Sequence, residues 1–192
     1  SSTSCTAWAS ILSKNTSMAI LIKQRKIATD SWRLLRDAPD GTRTAVPQEG
    51  AVIVPARRWL AERESLAARP GRIGVLLDGD DDPGAIAEDL RLFGVVAVDF
   101  PRFTDGRGYS IGRLLRERYG WRGEMRAVGD VQRDQLFYLA RCGFDAFMLR
   151  EGEDAAVALE GFQDFGERYQ GAVDQPLPLF RRRDVRGAPI GR

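Results

Sequence analysis

Apolar residues fall in short blocks along this chain, and from residue 51 onward the blocks alternate between two periods. AVIVP (51–55) predicts a short strand, and ARRWLAERESLAAR (56–69) a helix. RIGVLLD (72–78) predicts the next strand. Asp82 then caps a helix with Pro83 at its first position, Ile86, Leu90 and Phe93 on one face, and Gly94 as its stop. VVAVDF (95–100) shows no alternation, the pattern of a strand buried on both faces. Tyr109 to Tyr119 carries Ile111, Leu114 and Leu115 at helical spacing. EMRAV (124–128) predicts a strand, Val131 to Cys142 a helix ended by Gly143, DAFMLR (145–150) a strand, and Asp154 to Tyr169 the last helix. Upstream, AILIKQRKIA (19–28) predicts a single strand and DAPDG (37–41) a turn.

This order predicts an α/β fold of about five βα units with a mainly parallel sheet and an N-terminal β segment. Two arrangements fit, an open doubly wound sheet or a partial (β/α) barrel. In either, functional residues gather in the loops at the C-terminal ends of the strands. Residues 18–180 are expected to form one domain, with 1–17 a disordered extension ahead of Met18 and 181–192 a basic tail.

Composition narrows the chemistry. The chain of 192 residues has no histidine, which removes His-dependent nucleophiles and His-ligated zinc or haem. Lys14, Lys23 and Lys26 are the only lysines, so the central region supplies none for a phosphate-binding loop or a Schiff base. Cys5 and Cys142 cannot supply the four thiolates of an ordinary iron–sulfur cluster. No cofactor is therefore expected. No apolar run is long enough to span a bilayer, and the expected location is the cytoplasm. The net charge of +2 divides into −3 over residues 18–180 and +4 over 181–192. A slightly acidic body argues against nucleic acid as partner. The bland reading of Arg181, Arg182 and Arg183 is solvated charge; the functional one is contact with an acidic partner.

One strand-end loop stands out. PRFTDGRGYSIGR (101–113) places Thr104, Gly106, Arg107, Gly108, Ser110 and Arg113 just before a helix, a set suited to a small oxoanion, with Arg126 on the neighbouring strand as a further cation. The bland reading is a connecting loop whose glycines only turn the chain. Asp105, Asp130 and Tyr109 are the candidates for acid–base work. Asp130 reads most simply as an N-cap, and Asp99 as the partner of Arg126. Cys142 reads as a buried, inert thiol. Phe137, Tyr138, Phe162, Phe165 and Tyr169 read as core or interface packing.

The stretch DFPRFTDGRGYSIGRLLRERYGWRGEMRAVGDVQRDQLFYLARCGFDAF (99–147) resembles the bacterial domain-of-unknown-function family 934. So do WRLL (32–35), the VIVP and GVLL strands and PLFRRR (178–183). The resemblance implies a role in sulfite reduction, since members tend to be encoded beside the sulfite reductase haemoprotein and carry the label oxidoreductase on that ground. It assigns no catalytic residue. Six-electron reduction of sulfite runs through a haem and a cluster whose ligands this chain lacks. The expectation is an accessory protein of assimilatory sulfate and sulfite reduction, working with the haemoprotein or its electron donor. The alternative is an enzyme binding an oxoanion or phosphate ester in the loop 104–113.

Overall fold

The computed structural model describes residues 20–37, 43–102, 104–150 and 154–160. The strands are β1 (Leu21–Lys23), β2 (Lys26–Ala28), β3 (Trp32–Leu34), β4 (Ala51–Pro55), β5 (Ile73–Leu77), β6 (Val95–Phe100), β7 (Glu124–Gly129) and β8 (Ala146–Met148). The helices are α1 (Ala56–Ala61), α2 (Arg63–Ala67), α3 (Arg107–Glu117), α4 (Arg133–Arg141) and α5 (Ala155–Glu160), with a 3₁₀ helix over Pro83–Leu92.

All eight strands join one mixed sheet in the order β2-β1-β8-β7-β6-β5-β4-β3. Neighbours from β3 to β8 pair in parallel, while β1 pairs antiparallel with both β8 and β2. From β3 to β8 the spatial order follows the chain order, so successive crossovers step the same way across the sheet. Right-handed connections that never reverse place their helices on one face and curl the sheet away from them. The result is a half-barrel, and the doubly wound alternative does not apply.

The two faces bury different things. Val52, Val54, Val75, Leu77, Val96, Val98, Phe100, Met125 and Ala127 point into the helix layer. There Trp59 packs edge-on against Phe93 at 4.8 Å and donates its indole N–H to Asp89 at 2.8 Å. The concave face holds the smaller cluster of Ile53, Leu76, Val95, Ala97 and Val128, lined by Trp32, Leu34 and Met148. Residues of every central strand are thus buried on both faces, as the unalternating run 95–100 implied.

Local departures from the sequence reading have local causes. The segment expected as one strand over 19–28 holds a hairpin of β1 and β2 instead, because Gln24 and Arg25 take positive φ of 51° and 59° and reverse the chain. The helix expected over 56–69 breaks at Glu62, whose φ of −121° and ψ of 25° divide α1 from α2. Asp82 caps as expected, its carboxylate accepting the Gly84 N–H at 2.8 Å, but the segment it opens is 3₁₀ rather than α. The turn expected over 37–41 and the helix beyond Glu160 fall largely outside the described residues, as do residues 1–17 and the tail 181–192. Among the described residues, no helix is long and apolar enough to cross a membrane.

Candidate functional site

The C-terminal ends of β3 to β8 open at one rim of the half-barrel, and each delivers charge there. Past β3 comes Arg36, whose guanidinium grips both oxygens of Asp99 at 2.9 and 2.6 Å. Asp99 ends the concave-facing run of β6 and is only 7% exposed. This fork-to-fork bond raises the already high Arg36 pKa further. Past β5 stands Asp78, beside the Asp80, Asp81 and Asp82 of the same loop. Its carboxyl is pushed above the usual aspartate range, first by desolvation at the rim, then by the charges of Asp99 and Asp81. Arg57 at the start of α1 reaches Asp81 at 3.4 Å.

The glycine/arginine loop lies on the same rim. Arg107, the first residue of α3, is held by Asp105 at 2.6 Å and also by Asp80 of the β5 loop. The bonds from Arg107 hold the Asp105 carboxyl down to about 2. Asp130 pairs with Arg150 at 3.3 Å across the ends of β7 and β8. It does not cap α4; that position belongs to Gln132, whose N–H is met by the Gln135 side chain at 3.1 Å. Gln135 in turn donates to the Tyr109 hydroxyl at 3.1 Å, and burial pushes the Tyr109 phenol up.

The glycines of the loop do different work from the one the sequence suggested. A Cβ on Gly108 would stand 2.6 Å from the Phe100 ring, and one on Gly112 2.5 Å from the Phe144 ring. Both let α3 settle onto the aromatics beneath it. Gly106 alone meets open space. Thr104 and Ser110 are exposed, and Arg113 turns along α3 to Glu117 at 3.2 Å. Arg107 therefore joins Asp105 and Asp80 on the rim, whereas Arg113 points elsewhere.

Arg126 belongs to a different cluster. It sits on the concave face, 1% exposed, bonded to Glu124 at 2.7 Å and Asp30 at 2.8 Å. Lys23 completes the set on Glu124 at 2.6 Å. The expected Asp99–Arg126 pair is not formed: Asp99 lies two positions beyond the residue opposite Arg126, facing Val128, and is taken by Arg36. Burial would raise the Glu124 carboxyl, but the bonds from Lys23 and Arg126 outweigh it and hold it below the usual value. Cys142 is buried at the end of α4, as expected. Tyr138, expected in packing, is 65% exposed, although its ring meets Tyr109 at 5.9 Å.

The sequence reading missed Arg36, Asp78 and the Asp80–Asp82 run. The available signal was the carboxylate that directly follows the apolar run GVLL, a strand-end position. Among the described residues, no group of three or more carboxylates or thiols is placed to hold a metal ion. A cleft of about 240 Å³ lies away from the rim, between Val46 and Gln48 on one side and Arg58, Glu62, Leu66 and Arg69 on the other.

A family model described as bacterial protein of unknown function (DUF934) matches residues 74–180, a span from β5 through the rim loops. No curated protein matches the chain.

Proposed function

We propose, for a chain that belongs to the DUF934 family of bacterial proteins of unknown function, a role as an accessory protein of assimilatory sulfate and sulfite reduction. It acts there by binding the sulfite reductase haemoprotein or its electron donor. The resemblance of residues 99–147 supports the pathway. One observation supports binding over turnover: the rim arginines Arg36, Arg57, Arg107 and Arg150 already hold aspartates. Such a rim presents fixed, internally neutralised charge, which disfavours capture of a free anion and favours partner binding as the mode of action. Affinity capture of the chain from cells grown on sulfate tests this. The haemoprotein or its donor is expected in the eluate, and its absence refutes the reading.

A second reading keeps the rim as an enzyme site of the oxoanion or phosphate-ester class. It is favoured by Asp78, a carboxyl pushed above the usual aspartate range, near an Asp99 that Arg36 bonds through both oxygens. In that reading Asp78 moves the proton, and Arg36 or Arg107 trades its aspartate for the ligand's oxygens. Thermal stabilisation by sulfite, sulfate or phosphate is then expected, near 2.7 kcal/mol at a hundredfold excess over Kd. No stabilisation by any of the three removes this reading.

A further inference from the structure

We propose that the end of the half-barrel opposite the rim is a docking surface for an acidic protein face. The proposal rests on the accessory reading above and names the surface that the reading leaves open. At this end β4 to β8 begin and the β1–β2 hairpin turns. The turn is tied to it by the Gln24 N–H, which donates to the Asp145 carbonyl at 3.2 Å. Arg116 ties the loop before β7 to the loop before β8, with bonds to the carbonyls of Trp121, Gly123 and Gly143 at 2.7 to 2.9 Å. Gly94, before β6, packs against the Trp32 ring, and Arg72, before β5, lies 5.2 Å over that same ring. The connections at this end thus form one continuous surface.

Its charge is mostly positive. Arg25, Lys26, Arg72, Arg91, Arg118 and Arg122 are all exposed there, against the acidic Glu49, Glu117 and Asp145. Asp145 is spent on Arg116 at 3.0 Å and Glu117 on Arg113 at 3.2 Å. At the rim, by contrast, Arg36, Arg57, Arg107 and Arg150 are paired with aspartates. Part of this polarity is structural: Arg91 and Arg118 sit at helix C-termini, where a cation offsets the helix dipole. That account does not reach Lys26 or Arg122, which lie in the hairpin and in the turn before β7. Leu92, 46% exposed beside Arg91, adds an apolar contact to the basic field. A basic surface with an exposed leucine fits an acidic protein face by charge and by apolar contact.

The test is the rate at which purified sulfite reductase haemoprotein, and separately its purified electron donor, associates with the full chain at low and at physiological salt. The wild type is compared with the Arg25→Glu/Arg91→Glu/Arg122→Glu variant and with Asp80→Ala at the rim. Circular dichroism confirms that each is folded, and Arg122→Ala provides a milder variant if the triple one is not. Steered association predicts an on-rate about tenfold lower in the triple variant at low salt, with a weaker salt dependence, and little change in Asp80→Ala. Equal rates for wild type and triple variant overturn the docking surface while leaving the accessory reading intact. Failure of both proteins to bind the wild type overturns the accessory reading, and the surface falls with it. Single-stranded RNA bound more tightly than either protein, and lost in the triple variant, makes the surface a nucleic-acid site and overturns the proposal.

Discussion

Arg126 is the most consequential single side chain in the sheet. A guanidinium in the concave face survives only because Glu124 and Asp30 surround it and Lys23 neutralises the remainder. Removing it leaves the half-buried Asp30 without its cation and Glu124 with Lys23 alone. Arg126→Met is expected to cost about 3–5 kcal/mol in denaturant unfolding, and a loss under 1 kcal/mol contradicts this account. Glu124 is held below the ordinary value, so its share of stability is present above the unfolded glutamate pKa and lost as pH falls through the folded one. Stability of the wild type should therefore drop on acidification more than that of Glu124→Gln. Asp78 works the other way. Its raised carboxyl favours the protonated form in the fold, so its ionisation at neutral pH opposes folding. Asp78→Asn is expected to raise Tm at pH 7, with the gain vanishing below the unfolded aspartate pKa near 3.9. A lower Tm at pH 7 shows instead that the carboxylate makes a needed bond.

At the scale of elements, α3 is set by its contact with the sheet more than by its caps. Gly106, at its N-terminus, has no side-chain cap bond, while Gly108 and Gly112 bring its backbone onto Phe100 and Phe144. Gly112→Ala drives a methyl into the Phe144 ring and is expected to cost about 1–3 kcal/mol. Gly106→Ala meets only open space and should stay within about 1 kcal/mol of the wild type. Equal effects of the two in chemical denaturation would refute this division of roles. The same helix shows what was legible in the sequence. Its apolar spacing could be read from periodicity, and the strands 51–55 and 95–100 from their unbroken apolar runs. That its glycines serve packing could not, because the rings they meet arrive from β6 and from the loop after α4. The hairpin at Gln24 escaped for a different reason, since neither Gln24 nor Arg25 is a residue that announces a positive φ. Pairings between distant strands, such as Arg36 with Asp99, were out of reach of any local pattern.

At the scale of the molecule, one topological fact organises the rest. Strands that advance in one direction give a curled sheet with one helix layer, and strand ends of the same sense then collect at the same pole. Aspartates paired with arginines gather at one pole and exposed cations at the other, so the two ends of the half-barrel present different chemistry. The proposed role in sulfur assimilation is tested most directly by growth. A bacterium deleted for this chain is expected to fail on sulfate or sulfite as sole sulfur source, to recover on sulfide, and to be restored by the wild-type chain. Normal growth of the deletion strain on sulfate contradicts the account.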